Sequence, residues 1–275
     1  MKQPRALIFD VDGTLADTER DGHRVAFNAA FAEVGLDWQW SESLYGELLQ
    51  VAGGKERIAR YIDLHCPGFS PPEGQVLGDF IAGLHQAKTR HYVALLAQGG
   101  VPLRSGVLRL LREARAAGVR LAIATTTTPE NVTALLDNAG EPCLRDWFEV
   151  IAAGDVVPRK KPAPDIFTLA LEQLGLKPED CAVIEDSDNG AASALAAGLK
   201  SLVVTLSHYT REQDFGAAAL VVDELGEPNA LGRIAGGVAV DSLGVEELAG
   251  ICVDLALIQR LHQAVWGGSS AREGN

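Results

Sequence analysis

The stretch Ala6-Leu7-Ile8-Phe9-Asp10-Val11-Asp12-Gly13-Thr14 constrains this chain more than any other. An apolar run of strand type stops abruptly in two carboxylates, a glycine and a threonine. Residues two apart in a strand point to the same side, so Asp10 and Asp12 project together and Val11 faces away. Two unpaired carboxylates at the end of a buried strand are costly unless a positive charge meets them. The pattern points to a divalent cation and a phosphate. Read alone, Asp-Val-Asp-Gly is equally a surface turn. What decides is whether matching chemistry recurs after later strands.

Behind strand 1 (about residues 5–10) the chain turns helical. Val25, Ala26, Ala29, Ala30 and Val34 recur at helical spacing and stop at Gly35. A second helix spans about 41–51, a third starts near Lys55, and a fourth spans about 73–96, ending at Gly99-Gly100. This block is rich in aromatics (Phe27, Phe31, Trp38, Trp40, Tyr45, Tyr61, Tyr92), which predicts a small core of its own.

After Pro102 strands and helices alternate. Strands are expected at about 119–124, 150–153, 181–184, 201–205 and 219–222, with helices at about 106–117, 129–140, 164–174 and 189–197. This order predicts a parallel sheet covered on both faces, binding its ligands at the carboxyl ends of the strands. Beyond Gly226 the signal weakens. Leu248, Ile251, Cys252, Leu255, Ile258 and Leu261 fit an amphipathic helix over about 245–265, and residues 267–275 read as disordered.

Length and composition narrow the function. A chain of 275 residues can bury a substantial core. Thirty-seven acids against 24 basic residues give a net charge of −13, which argues against nonspecific nucleic-acid binding. Carboxylate clusters suit Mg²⁺, a hard cation that prefers oxygen. Cys66, Cys143, Cys181 and Cys252 are widely spaced, arguing against a disulfide scaffold or zinc site. Buried free thiols in a reducing cytoplasm are expected. The apolar run behind Lys2 and Arg5 is too short for a signal peptide, and no segment is long and apolar enough to span a bilayer. No nucleic-acid or membrane partner is expected.

Four strand ends carry polar signals: Asp10 and Asp12, then Thr125, then Lys161, then Glu185 and Asp186. Singly, each has a bland reading. A threonine there is a helix cap, a lysine before proline is a solvated side chain, and Glu-Asp is loop. In a parallel sheet all four gather at one edge, where they would form a Mg²⁺ and phosphate site.

In these residues the chain closely resembles the haloacid-dehalogenase (HAD) superfamily of phosphotransferases. Asp10-Val11-Asp12-Gly13-Thr14 matches the first motif, Thr125 the second, Lys161 the third and Glu185-Asp186 the fourth. The resemblance covers about residues 5–225. It implies an α/β, Rossmann-like parallel-sheet core (residues 1–16 and 98–230), an inserted all-helical cap (17–97) and a C-terminal helical extension and tail (231–275). It also implies Asp10 as nucleophile, forming an aspartyl-phosphate. Asp12 would protonate the leaving alkoxide and later take a proton from water. Thr125 would bond a phosphoryl oxygen and Lys161 would supply charge. Asp10, Asp186 and the backbone carbonyl of Asp12 would hold Mg²⁺, with Glu185 as a further ligand or a support behind them. Of the two adjacent lysines, Lys161 rather than Lys160 directly precedes Pro162 as in the motif. An acid at position 12 separates the chain from the founding dehalogenases and points to a phosphatase or mutase.

The cap should choose the substrate. Candidate contacts are Thr14, Glu19, His23, Arg24, Gly54, Lys55, Arg57, His85, Lys88 and Thr126, with Arg90 among the other basic residues. Most of the basic ones, taken singly, also fit solvated surface charge. Gly53-Gly54-Lys55-Glu56-Arg57 stands out, because two glycines before a helix expose N–H groups to an anion. With Asp17-Thr18-Glu19, Ala87-Lys88-Thr89 and Lys160-Lys161-Pro162-Ala163-Pro164-Asp165, it makes the chain most similar to CbbY-like sugar-phosphate phosphatases. That similarity implies xylulose 1,5-bisphosphate, an inhibitory by-product of the CO₂-fixing enzyme of the Calvin cycle, as substrate of a monomeric enzyme. A phosphosugar mutase of the β-phosphoglucomutase type shares the cap and all four motifs. A non-enzymatic receiver-like phosphoacceptor also uses Asp, Thr and Lys on a parallel sheet, but such domains are short and carry the phosphoacceptor on a middle strand.

Overall fold

The computed structural model describes residues 3–72, 74–244 and 250–267. Eight strands form one sheet. They are β1 (Ala6–Phe9), β2 (Arg120–Thr125), β3 (Phe148–Ala153), β4 (Cys181–Glu185), β5 (Leu202–Thr205), β6 (Leu220–Val222), β7 (Gly232–Gly236) and β8 (Gly250–Ile251). Their order is β3-β2-β1-β4-β5-β6-β7-β8. The first six run parallel, and β7 and β8 close the edge antiparallel. The four residues of β1 are fully buried, as expected of a central parallel strand covered on both faces.

The helices are α1 (Arg24–Glu33), α2 (Glu42–Leu48), α3 (Gly54–His65), α4 (Leu77–Ala97), α5 (Val107–Ala116), α6 (Pro129–Asp137), α7 (Asp165–Leu174), α8 (Asp188–Ala196), α9 (Val240–Leu243) and α10 (Leu255–Gly267). A single π-helical turn, Glu19–His23, precedes α1. Alternate residues of the strands feed two cores. Leu7, Phe9, Leu121 and Ile123 pack on one face, where α10 adds Leu257, Ile258 and Leu261. Ala6, Ile8, Ala122 and Val183 pack on the other, under Phe167 and Leu171 of α7. A third cluster, built on Phe27, Phe31, Trp38, Trp40, Tyr45 and Ile58, belongs to α1–α4. Tyr92 does not join it but packs with the larger core, because the second half of α4 leans on the sheet domain.

Two chain crossings join this helical block to the sheet, and they lie side by side. Ala16 bridges to Leu103, and the Arg104 N–H donates to the Leu15 carbonyl at 2.9 Å. Both connections therefore lie at one place, directly behind Asp12.

Three expectations change. The C-terminal segment is not purely helical: β7 and β8 extend the sheet before α10. Only Ile234 in Gly232-Arg233-Ile234-Ala235-Gly236 is a large apolar residue, so pairing with β6 rather than local propensity makes the strand. The helix expected over 245–265 begins at Leu255, since Ile251 is in β8; residues 245–249, and with them Leu248, lie outside the described residues. The expected disorder of 267–275 also falls outside them, apart from Gly267, which closes α10. Of the four thiols only Cys181 is buried, and Cys143 is exposed. Among the described residues no helix is long and apolar enough to cross a membrane.

Candidate active site

Asp10 and Asp12 leave the end of β1 on one side, while Val11 is buried in the core. The chain then turns at Gly13, whose φ of +86° favours glycine. A side chain there would also collide with the Asp186 carboxylate. Asp12 is held by three neighbours in series. Its Oδ1 accepts hydrogen bonds from Thr18 Oγ1 at 2.6 Å and His23 Nε2 at 2.8 Å. Behind it, Lys88 Nζ lies 2.9 Å from His23 Nδ1. An ammonium only donates, so Nδ1 is the acceptor and Nε2 carries the proton given to Asp12. Burial pushes the Asp12 carboxyl up, but His23, Thr18 and Lys88 outweigh it and hold it below the usual range. Burial dominates at Lys88 and lowers its ammonium to about 8, with Asp12 and Glu19 opposing.

Lys161, after β3, donates to Asp10 Oδ1 at 2.6 Å and Glu185 Oε1 at 2.5 Å. Glu185, at the end of β4, is fully buried and also accepts from the N–H groups of Asp186 (2.9 Å) and Ser187 (3.3 Å). These N–H groups lie just before α8, whose cap is the Ser187 hydroxyl, accepting from the Gly190 N–H at 3.1 Å. Gly190 makes room, since a Cβ there would overlap the Glu185 carboxylate. Thr125, at the end of β2, accepts from the Thr127 N–H at 3.3 Å, which leaves its hydroxyl proton for a ligand.

Asp10, Glu185 and Asp186 each place a carboxylate oxygen within 4.8 Å of the others. One ammonium, Lys161, meets three buried acids. Burial and the charges of Glu185 and Asp12 raise Asp10 to about 7 despite Lys161. Burial and the charges of Glu185 and Asp10 raise Asp186 far above the usual range. The cluster lacks positive charge, and its donors are all hard oxygens, so the residues fit a small divalent cation such as Mg²⁺.

Two cavities that share Asp12, Glu19, Arg57 and Thr126 in their walls lie between this edge and the helical block. Asp10, Asp12, Thr125, Thr126, Lys161 and Asp186 floor the larger one. The smaller, of about 350 Å³, lies beside Asp12. Of the expected substrate contacts, Glu19, Arg57 and Thr126 line both cavities; His23, Gly54, His85 and Lys88 line the smaller. Arg57 is buried and donates to the Tyr45 hydroxyl at 2.9 Å, and that hydroxyl donates to Glu19.

Thr14, Arg24 and Lys55 are not brought to either cavity. Thr14 is buried and its hydroxyl has no partner. Arg24 bonds the carbonyls of Arg20 and Trp40, because α1 turns that face away from the sheet. Lys55 is paired with Asp155 across the cleft. Lys160 joins the same group, 2.7 Å from Glu56 and 2.9 Å from Asp155, so it does not compete with Lys161. At the start of α3, Gly53 faces the Glu56 carboxylate and the Lys160 ammonium, and Gly54 faces His85.

Several lining residues carried no sequence signal. Tyr209 and Gln213 lie on an irregular loop after β5, yet Tyr209 packs on Tyr45, 5.9 Å between ring centres. Asn131 lies in the first turn of α6, behind the Thr128 cap and Pro129.

The chain is similar to known proteins in sequence and in fold. A family model described as haloacid dehalogenase-like hydrolase matches residues 4–198. The plasmid-encoded Protein CbbY of Cupriavidus necator is 50% identical over 224 residues, covering 82% of this chain and 87% of that protein. The crystal structure of CbbY from Rhodobacter sphaeroides in complex with phosphate superposes with a TM-score of 0.75 at 46% identity, covering 86% of this chain and 98% of that one. A mutant of the same protein in complex with xylulose-(1,5)bisphosphate gives 0.73 at 45% identity, with the same coverage. The chain belongs to the haloacid dehalogenase-like hydrolase family, as a CbbY-like hydrolase of phosphoric monoesters.

Proposed function

We propose that the chain is a Mg²⁺-dependent phosphatase that removes phosphate from a sugar phosphate through an aspartyl-phosphate at Asp10, with xylulose 1,5-bisphosphate as its substrate. The observation that carries this reading is the pairing of two aspartates in different states at one strand end. Asp10 faces Lys161 and the acidic cluster, as a nucleophile must. Thr18 and His23 hold the Asp12 carboxylate apart from the cluster, ready to take up a proton and pass it on. The similarity to a protein crystallised with xylulose-(1,5)bisphosphate supports the substrate.

A carboxylate of Asp10 attacks phosphorus, and the bond to the sugar oxygen breaks. Asp12, ionised in the free site, takes the proton that the substrate brings as a phosphate monoanion and gives it to that alkoxide. Asp12 then takes a proton from water as the water attacks phosphorus, which releases phosphate and restores Asp10. Lys161 and the Thr125 hydroxyl stabilise charge on the transferring oxygens. Mg²⁺, held by Asp10, Asp186 and the backbone carbonyl of Asp12, would supply the remaining positive charge. Glu185 is already used by Lys161 and two backbone N–H groups, which favours a supporting role for it.

The test is Mg²⁺-dependent phosphate release from xylulose 1,5-bisphosphate beside ribulose 1,5-bisphosphate and glucose 1- and 6-phosphates. Selective turnover of the first is expected. Asp10→Asn should abolish it while leaving the melting temperature nearly unchanged, because the amide matches the carboxylate in size. Phosphate release by that variant at the normal rate overturns the mechanism. Isomerisation of a glucose phosphate without release would show a mutase instead.

A further inference from the structure

The smaller cavity has two unlike walls. One carries charge: Lys88, the His23–Asp12 pair and Arg57. The other is the first turn of α6, where Asn131 is only 2% exposed. Its Nδ2 donates to Thr127 Oγ1 at 3.0 Å, and its backbone N–H donates to the Thr128 hydroxyl at 3.4 Å. One end of the amide is therefore fixed, and the carbonyl is turned the other way. That carbonyl oxygen is buried with no donor. Buried carbonyls without a donor are rare because they forfeit water and receive nothing in return. Also lining the lobe is His85, which burial first, and then Lys88, Lys55 and Lys160, push down to about 3. At neutral pH its imidazole is uncharged, with one donor and one acceptor nitrogen.

We propose that this lobe reads a hydroxyl of the sugar, with Asn131 Oδ1 accepting its proton and the His85 imidazole as a second polar partner. The inference rests on the reading of the chain as a sugar-phosphate phosphatase and specifies how that site recognises its substrate. The chemistry selects the group. A phosphate dianion has no proton to give and is repelled by a carbonyl oxygen. An ammonium would meet Lys88. A hydroxyl supplies the proton that Asn131 lacks, and its own lone pairs accept from His85 or from the Thr127 hydroxyl. Asn131 thus acts on substrate choice rather than on bond breaking.

The experiment compares wild type with Asn131→Leu on xylulose 1,5-bisphosphate, its deoxy analogues and phenyl phosphate, which has no hydroxyl. A loss in kcat/KM of roughly tenfold or more on the sugar is expected. Phenyl phosphate should be hydrolysed at the wild-type rate, and one deoxy analogue should fail to distinguish the two proteins. Asn131→Ser serves if leucine disturbs α6, and its phenyl phosphate rate reports an intact site. Equal losses on the sugar and on phenyl phosphate, or no loss on the sugar, overturn the inference while the phosphatase reading stands. Wild type that hydrolyses phenyl phosphate but none of the sugar phosphates overturns both.

Discussion

Asp10 and Asp12 are two residues apart on one strand, yet their surroundings make them chemically different. Lys161 and two further acids face Asp10, whereas Asp12 is tied to Thr18 and to the His23–Lys88 pair. His23 orients the Asp12 carboxyl, so His23→Ala should slow turnover most where the leaving group needs a proton. A loss of about tenfold or more is expected on alkyl phosphates, and little on an activated aryl phosphate, since general acid catalysis is worth roughly 10²–10⁴. Equal losses on both would show that His23 does not act through Asp12. Lys88 has its own signature. Its ammonium is lowered to about 8, so it loses its proton, and its attraction for anions, as pH rises through that value. KM for a bisphosphate should therefore climb above about pH 8 in wild type. A Lys88→Met variant should have a raised KM without that step.

The helical block and the sheet are held together by an ionic network across the cleft. Lys55 and Glu56 open α3, and Asp155 and Lys160 follow β3. The Lys55 and Lys160 hydrogen bonds hold Asp155 down at about 2, so it stays charged down to that pH and the network does not sense pH near neutrality. It should sense salt instead, because these pairs are largely exposed: Asp155 and Glu56 are 54% and 45% accessible. Exposed pairs are weak, so Asp155→Asn should raise KM only about two- to fivefold. Wild type should approach the variant as ionic strength rises. A variant with the wild-type KM at low salt would show that the network does not govern closure. The loop after β5 reinforces the contact by shape, with Tyr209 seated on Tyr45 beside Gly46, where a Cβ would lie 3.0 Å from its ring.

The matched family model stops at residue 198, but the sheet continues to β8 at residue 251. Ile234, Val253, Ile258 and Leu261 from this last segment are buried in the larger core. Arg109 of α5 bonds the carbonyls of Gly226 at 2.7 Å and Val253 at 3.2 Å, and Ser201 meets His262 at 2.8 Å and Trp266 at 3.0 Å. Each buried aliphatic side chain contributes about 1.5–3 kcal/mol. Losing four approaches the whole stability of an ordinary domain, about 5–15 kcal/mol. A chain ending at residue 228 should be recovered mainly as aggregate. A soluble truncated protein with an unchanged melting temperature would show that the extension is dispensable. The molecule as a whole is acidic, at −13, yet Arg57 and Lys88 are buried beside the cleft. These two buried cations sit where an anion would enter.

The strand ends were legible because each obeys a local rule. A short apolar run followed by Asp10-Val11-Asp12-Gly13, by Thr125 or by Glu185-Asp186 marks a strand and what leaves its end, and parallel order then brings them to one edge. Helix stops at glycine were legible for the same reason. Partner choice was not. Lys55 looked like an anion contact in the sequence and found Asp155, a hundred positions away, because closure across the cleft sets its neighbour. Asn131 looked ordinary until Thr127 took one end of its amide and left the other unmet. β7 has almost no strand pattern, and β6 makes it one by offering an open edge. Local rules act over a few residues, whereas these contacts depend on which surfaces the folded chain brings together.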